Sequence, residues 1–184
     1  VSFEESLQEI QIRVMGEIQL EVLREVCKER FSLDISFGDC QVLYQETIAE
    51  EVVGYGHYEP LRHYAEVHLR LSPAPRGSGI SFDSECPTDI LAQNWQNLVR
   101  THVFEKKHKG VLTGSELCDV KVTLLTGRSH LKHTEGGDFR EATYRAIRQG
   151  LEQLLYQDKM ILLEPYYAFS ISLESEQAGR LMAD

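Results

Sequence analysis

Alternating apolar and polar residues predict several strands along this chain. The clearest alternation runs from Tyr64 to Leu71, where aliphatic residues face one side while Glu66, His68 and Arg70 face the other. Strands with one buried face show this period of two because successive side chains point to opposite faces of a sheet. The other predicted strands are Gln8–Val14, Leu33–Phe37, Gln41–Ile48, Val52–His57, Ile80–Phe82, Val120–Leu124 and Leu162–Leu173, with an edge strand at Phe3–Glu5.

Three further stretches repeat their apolar residues at helical spacing. The first predicted helix is Glu17–Phe31, and the second begins at Pro87 or Thr88 and ends at the basic cluster Lys106–Lys109, with Gly110 as its C-cap. The third follows a long loop, and a fourth is predicted to begin within Ser175–Asp184. The buried face of the third is expected to hold Phe139, Ala142, Thr143, Ala146, Ile147, Gly150, Leu151, Leu154 and Leu155.

The order of these elements predicts an α+β fold. The central region reads β-β-β-β-α-β-α, which is typical of a two-layer α/β unit with its helices on one face of a sheet. The strand–helix–strand that precedes it is too short to close a hydrophobic core alone.

Charge narrows the possible partners. The 184 residues carry a formal net charge of −10, which argues against general binding of nucleic acid. Residues 61–160 nevertheless carry +2, between −9 in residues 1–60 and −3 in residues 161–184. Any RNA contact is therefore expected in a focused patch.

The loop Thr126–Gly137 is the candidate for that patch. It is long, rich in cations and hydroxyls, and has no apolar period, although a solvated surface loop is the simpler interpretation of the loop alone. Successive hairpin strands alternate in direction, so alternate connections lie at one end of a sheet. This topology predicts that Arg62, His63, Arg128, His130, Lys132 and His133 converge, while the cluster Lys106–Lys109 lies at the opposite end.

Motifs for catalysis or metal binding are absent from the sequence. There is no GxxxxGK[ST] phosphate loop and no recognisable Ser/His/Asp or Cys/His set. The four cysteines are widely spaced and are expected to be reduced thiols, and His57, His63 and His68 are interpreted as surface residues. No apolar run approaches membrane-spanning length. We therefore predict no enzyme activity, no metal and no cofactor in this chain.

Five short stretches resemble the C-terminal half of translation factors related to elongation factor G. They are GEIQLEV at 16–22, APRGSG at 74–79, GVLTG at 110–114, DVKVTL at 119–124 and LLEP at 162–165. The resemblance implies that residues 1–39 end a third domain, 40–158 form a fourth domain with a ribosomal protein S5 domain 2-like fold, and 159–184 begin a fifth. The outer segments would then be partial ferredoxin-like domains.

In that family the tip of the fourth domain enters the decoding region of the small ribosomal subunit. Asp138-Phe139-Arg140 is similar to the tetracycline-resistance ribosomal protection proteins, although Ser129-His130-Leu131-Lys132 stands where those proteins commonly place aromatic or proline residues. The resemblance implies a cytoplasmic ribosome-binding protein with no DNA or membrane partner, and GTP and Mg²⁺ in an upstream domain. The implied RNA-binding residues are Arg62, His63, Arg128, Ser129, His130, Leu131, Lys132, His133 and Thr134.

Other functions remain open from the sequence. Within the family, the alternative is an elongation factor G paralogue that acts in translocation or recycling. From other classes, the alternatives are an enzyme or a free-standing interaction module on the same fold. The incomplete outer segments also lead us to predict that Leu162–Leu173 packs near Gln8–Val14 and Leu33–Phe37.

Overall fold

The structure, a computed structural model, describes residues 1–4, 9–39, 42–166, 168, 170 and 172. The chain divides into two compact units. The first combines Val1–Val42 with Tyr166–Asp184, and the second is Leu43–Pro165. The proposed domain boundaries at 39/40 and 158/159 rest on the family resemblance and stay a prediction.

The first unit contains a short hairpin and one helix. Strand β1, Ser2–Glu4, pairs antiparallel with β2, Glu9–Gln11, and helix α1 spans Ile18–Phe31. The helix ends at Ser32, which takes a left-handed conformation with φ 53°. None of the α1 side chains is fully buried, so the predicted apolar face is only partly covered.

The predicted strand Leu33–Phe37 is wrong. These residues form no regular element, although Ile35 and Phe37 are half-buried as the alternation indicated. A strand needs a neighbouring strand to take up its backbone hydrogen bonds. In the described part of the chain, no strand pairs with this segment.

The second unit holds the remaining elements in two sheets. Its elements are β3 (Gln45–Ile48), β4 (Val52–Tyr58), β5 (Ala65–Pro73), β6 (Ile80–Ser84), α2 (Gln93–Phe104), β7 (Glu116–Leu117), β8 (Val120–Ser129), α3 (Gly136–Tyr156) and β9 (Met160–Leu163). The larger sheet has the order β4-β5-β8-β6 and the smaller one β7-β3-β9. This is the α+β, two-layer architecture that the sequence predicts, with one extra short strand.

Strand β5 forms the centre of the core. Its residues Ala65, Val67, Leu69 and Leu71 are fully buried, which confirms the predicted alternation. It pairs antiparallel with β4 on one side and β8 on the other, with a bulge between His68 and Leu69. Side chains of α2 and α3 belong to the same hydrophobic core as those of β5, so both helices cover the same face of the larger sheet.

Helix α3 lies unusually close to β4. A side chain added at Gly54 would place its Cβ 2.0 Å from the Ala146 carbonyl oxygen, and one at Gly56 would lie 1.8 Å from that of Ala142. Glycine therefore lets the helix backbone rest directly on the strand. The predicted buried face of α3 is confirmed except at Leu155, which is 39% exposed because it lies at the end of the helix.

Side chains of α3 also cover the outer edge of β4. Three of them, one helical turn apart, hydrogen-bond to backbone groups two residues apart on the strand. Four helical residues rise about 6 Å, and two strand residues span about 6.7 Å, so the spacings match. The bonds join Arg145 to the His57 carbonyl at 3.0 Å, Gln149 to the Tyr55 N–H at 2.8 Å and Gln153 to the Val53 carbonyl at 3.1 Å.

Helix α2 is shorter than predicted at both ends. Residues 87–92 form a turn instead, held by the Gln96 amide, which donates to the carbonyls of Cys86 and Leu91. The buried Leu91 side chain fills space beside Gly127. At the other end, the His108 ring bonds to the Val103 carbonyl at 3.0 Å after the helix has ended. Gly110 is therefore not its C-cap.

Strands β2 and β3 are shorter than the predicted Gln8–Val14 and Gln41–Ile48, β6 is longer than predicted, and β8 and β9 also differ in length. Strand β8 continues to Ser129 because β5 offers partners along its whole length. Strand β9 ends at Leu163 and pairs antiparallel with β3, where Leu162 lies opposite Glu46. The predicted packing of Leu162–Leu173 near Gln8–Val14 and Leu33–Phe37 stays a prediction. The rest of the predicted Leu162–Leu173 strand lies partly outside the described residues, and the predicted helix in Ser175–Asp184 lies wholly outside them.

Candidate nucleic-acid interface

Two loops meet at one end of the larger sheet, and we call residues 59–64 and 128–135 the tip. The Tyr64 N–H donates to the His133 carbonyl at 2.7 Å. The Thr134 hydroxyl donates to the Tyr64 carbonyl at 2.6 Å and accepts from the His130 N–H at 2.6 Å. The two loops are therefore tied together by backbone and hydroxyl contacts.

The loop after β8 is also ordered within itself. The rings of His130 and His133 stack with centroids 4.7 Å apart and planes inclined by 20°. The Lys132 N–H donates to His130 Nδ1 at 3.2 Å. Leu131, between these residues, projects fully into solvent, as does Leu61 on the other loop. The tip is thus a fixed shape with apolar and cationic side chains at its surface.

The structure brings all nine predicted site residues to this end of the sheet. Seven lie in the two loops, and Arg62 takes a left-handed conformation with φ 63°. The predicted loop begins too early, however, since Arg128 and Ser129 are the last residues of β8 and lie opposite Glu66 and Ala65 on β5. The loop itself is six residues long, between Ser129 and Gly136.

The side chain of His63 is joined to the start of α3. Its Nδ1 lies 2.8 Å from Oδ1 of Asp138, whose side chain is 4% exposed. The other carboxylate oxygen of Asp138 accepts the N–H of Glu135 at 2.8 Å, in a capping box. Asp138 therefore ends the loop, begins the helix and holds a side chain of the opposite loop.

Cations at the tip differ from most of those elsewhere in the second unit. Arg62, Arg128 and Lys132 are exposed, and none forms an ion pair with a described residue. Seven other cations in this unit have acidic partners: Arg70 pairs with Glu51 and Glu85, Arg76 with Asp119, Lys107 with Glu116, Lys121 with Asp83, Arg140 with Glu105, Arg148 with Glu152 and Lys159 with Glu50. Of the remaining four, Lys106 lies over the Tyr144 ring, Arg145 donates to the His57 carbonyl, and Arg100 and Lys109 are exposed without an ion pair to a described residue. The tip cations remain available for an external anion.

Acidic side chains near the tip already contact neighbouring histidine or tyrosine side chains. Glu66 accepts hydrogen bonds from the His68 ring at 2.8 Å and the Tyr64 hydroxyl at 3.0 Å, and the contact with His68 is the main reason that its pKa lies below the ordinary value. Glu59 lies 3.0 Å from the His57 ring. Burial and the contact with Glu66 raise the pKa of Tyr64, so it stays a neutral hydroxyl.

The cluster Lys106–Lys109 lies away from the tip. Lys107 pairs with Glu116 at 2.7 Å, beside β7, and Lys106 lies over the Tyr144 ring at 3.3 Å. The Tyr144 hydroxyl bonds to Glu105, and this contact, with those of His102 and Arg140, lowers the pKa of Glu105 to about 2. Burial and the same bond raise the pKa of Tyr144 to about 12. These groups serve the helix packing.

The motifs at the other end of the unit are explained by a buried carboxylate. Glu46 is fully buried and accepts from Leu112 N, Thr113 N, Thr113 Oγ1 and Ser115 N at 2.8–3.1 Å. A Cβ at Gly110 would lie 2.0 Å from Glu46 Oε2, so the first glycine of GVLTG makes room for the carboxylate. Burial alone would raise the pKa of Glu46, but the loop's hydrogen bonds outweigh it and lower the pKa.

Asp119 plays the corresponding part for the APRGSG turn. Its Oδ1 accepts the Gly79 N–H at 2.9 Å and its carbonyl accepts the Ala74 N–H at 2.9 Å. Gly77 and Gly79 have φ values of 80° and 68°, which glycine adopts without strain. The turn and the strand motif DVKVTL therefore form one structural feature.

The described residues bring together no group of three or more His, Cys, Asp or Glu side chains that could hold a metal ion. Cys27, Cys86 and Cys118 are free thiols, and Cys40 lies outside the described residues. None of the described helices has the length and apolar character needed to cross a membrane.

Sequence reasoning missed the residues that hold the tip. Asp138 stands out in the sequence only through the family resemblance, because Glu135-Gly136-Gly137-Asp138 departs from the Ser/Thr-x-x-Glu/Gln pattern that signals a capping box. The partnership of His63 with Asp138 spans 75 residues of sequence and has no local signal.

Comparison with known proteins identifies relatives. The family described as "Elongation factor G, domain IV" matches residues 40–153. The chain is 28% identical over 174 residues to an elongation factor G-like protein of Thermotoga maritima, and 28% identical over 178 residues to the tetracycline resistance protein TetP of Clostridium perfringens. These alignments cover 92% and 96% of this chain but 25% and 26% of the relatives, so the chain spans about a quarter of their length.

A solved structure shows the same fold. A crystal structure of a protein from Thermus thermophilus superimposes with a TM-score of 0.64 at 24% sequence identity, over 80% of this chain and 22% of that one. The similarity includes residues beyond the matched domain, since 80% of 184 residues exceeds the span 40–153.

Proposed function

Because this chain belongs to the elongation factor G domain IV family, a family of translation factors, we propose that it is the ribosome-binding part of a ribosomal protection-type factor. In this proposal the tip contacts small-subunit ribosomal RNA in the decoding region and opposes tetracycline. The protein would act in the cytoplasm, where ribosomes are found.

The observation that carries this proposal is the set of unpaired, exposed cations on an ordered tip. Arg62, Arg128 and Lys132 have no acidic partner among the described residues, while the neighbouring acids Glu59 and Glu66 are engaged by histidines. Irregular RNA is recognised by charge, stacking and hydroxyl contacts rather than by a groove-fitting helix. The histidine rings supply an aromatic surface for stacking, and the exposed leucines supply apolar contacts.

The acidic remainder of the chain supports contact through the tip alone. The net charge of −10 repels RNA, which favours an approach at the tip, where three cations without acidic partners lie together.

GTP hydrolysis is proposed for the parent protein rather than for these residues. The relatives are about four times as long as the part that this chain matches. The 184 residues contain no GxxxxGK[ST] loop, so GTP and Mg²⁺ would be held by another domain of the parent.

The elongation factor G-like relative favours a second candidate function. Its identity to this chain equals that of TetP, so a role in translocation or recycling has the same support from sequence. Tetracycline susceptibility of cells that express the full-length protein separates the two candidates. Growth at raised tetracycline concentration supports protection. Unchanged susceptibility, together with ribosome-dependent GTP hydrolysis by the full-length protein, supports a role in translocation or recycling.

Replacing Arg128 and Lys132 together with Ala is expected to weaken binding of this chain to purified small ribosomal subunits. The reason is that two phosphate contacts are lost, so the slope of log affinity against log salt should fall by about 2 and affinity by tenfold or more. Binding is measured by sedimentation or fluorescence anisotropy across a salt series. Stability should change by less than about 0.5 kcal/mol, because both side chains are exposed.

The matched control removes two cations at the other end of the unit. The double variant Lys107→Ala with Lys109→Ala makes the same change in charge near β7 and should leave the salt slope almost unchanged. If the control abolishes binding while the tip variant binds normally, the interface lies elsewhere.

A further inference from the structure

The contact between His63 and Asp138 fixes the chemistry of an exposed ring. Asp138 is 3% exposed, and both of its carboxylate oxygens have partners, namely His63 Nδ1 and the Glu135 N–H, each at 2.8 Å. The His63 side chain is 38% exposed. Its ring is also bordered by that of Tyr58, with centroids 6.4 Å apart.

This arrangement determines which ring nitrogen carries the hydrogen. A carboxylate only accepts hydrogen bonds, so Nδ1 of His63 must be the donor in this contact. In the neutral imidazole the other nitrogen, Nε2, then has a free lone pair. No described residue forms a hydrogen bond with Nε2, and this atom is not among the buried polar atoms that lack a partner, so it is accessible to solvent.

We propose that His63 Nε2 is a hydrogen-bond acceptor that reads RNA at the tip, and that Asp138 is the positioning residue that selects this tautomer. The acceptor would take the hydrogen of a ribose 2′-hydroxyl or of an exocyclic base amino group, while the adjacent Arg62 contacts phosphate. This inference rests on the proposed function, because it requires that the tip faces RNA.

Asp138→Asn tests the tautomer with little change of shape. The Glu135 N–H still needs an acceptor, so the Asn oxygen is expected to face it. The amide NH₂ group then faces His63 Nδ1, which must accept instead of donate. The hydrogen moves to Nε2, and the group offered to RNA changes from an acceptor to a donor.

The expected result is weaker binding without loss of the fold. Asp138→Asn and His63→Ala should each lower the affinity for purified small ribosomal subunits about five- to tenfold, the usual loss for one hydrogen bond. The double variant should bind no more weakly than His63→Ala alone, because both changes remove the same contact. ¹⁵N NMR of the imidazole should show hydrogen on Nδ1 in the wild type and on Nε2 in Asp138→Asn.

The control is Glu141→Gln, which makes the same change in charge on α3 without touching His63. Glu141→Gln should bind like the wild type. Unfolding followed by Trp95 fluorescence should show that Asp138→Asn and Glu141→Gln are both folded. If Asp138→Asn inverts the tautomer and still binds like the wild type, the inference is wrong. If the wild-type chain does not bind the subunits at all, the proposed function itself fails.

Chemical probing separates the two donors. Acylation of 2′-hydroxyls reports on the ribose, and kethoxal reports on guanine amino groups. A protection seen with the wild type and lost in both His63→Ala and Asp138→Asn identifies the donor. Protection patterns that are identical in all three proteins overturn the inference.

Discussion

Gly56→Ala is expected to destabilise the second unit by about 3 kcal/mol or more. The new Cβ would lie 1.8 Å from the Ala142 carbonyl oxygen, and the corresponding change at Gly54 would lie 2.0 Å from that of Ala146. Both obstacles are helix backbone, so relief requires α3 to move away from β4. That movement would also separate the buried face of α3 from the core around Val67.

Urea unfolding followed by Trp95 fluorescence measures this effect. Trp95 is the single tryptophan of the chain, and its ring stacks on that of Phe139 with centroids 5.2 Å apart. Its fluorescence therefore reports on the contact between α2 and α3. Gly137→Ala is the matched control, because nothing lies within 4 Å of the added Cβ. It should change stability by no more than about 1 kcal/mol, in the stabilising direction. An unchanged midpoint for Gly56→Ala would show that α3 does not rest on the strand.

Glu46→Gln is expected to lower the free energy of unfolding by about 2–4 kcal/mol near neutral pH. The carboxylate accepts four hydrogen bonds from the loop that contains Thr113, and an amide in its place points NH₂ at some of these donors. The fully buried position leaves no water to compensate.

The effect of Glu46→Gln should depend on pH with a definite sign. The folded-state pKa of Glu46 is lowered, so the charged carboxylate stabilises the fold above the unfolded value of about 4.3. This stabilisation is lost as the pH falls from there through the folded pKa. The difference between wild type and variant should therefore shrink in that range.

Glu50→Gln provides the comparison for this measurement. Glu50 pairs with Lys159 at the surface and is 56% exposed, so its change should cost less than about 1 kcal/mol. If Glu50→Gln lowers the free energy of unfolding as much as Glu46→Gln does, the hydrogen bonds to buried Glu46 stabilise the fold no more than a surface ion pair.

The elements that sequence predicts well are those whose pattern is produced by burial itself. Strand β5 alternates and α3 repeats every three to four residues because one side of each faces the core. The segment Leu33–Phe37 alternates equally clearly, but a pattern cannot supply the partner strand that a ladder needs. The end of β8 is polar and resembles a loop, and only its pairing with β5 makes it a strand.

The sequence predicts where the tip lies but not the contacts that determine its shape. Strand direction was enough to predict that Arg62 and Lys132 would lie at one end, away from Lys107. The contacts that set its shape, from Thr134 to Tyr64 and from Asp138 to His63, join residues 70 and 75 positions apart. Likewise, Glu46, Glu50 and Glu51 lie close together in the sequence, and only the fold shows that the loop containing Thr113 closes over Glu46.

The side chains of α3 that bond to β4 have a consequence for self-association. An exposed sheet edge is a template on which a strand from another molecule can pair. Here a second strand would first have to displace Arg145, Gln149 and Gln153 from the backbone groups they occupy. The helix thus protects the sheet against polymerisation along β4, a protection that the three side chains provide without adding a strand.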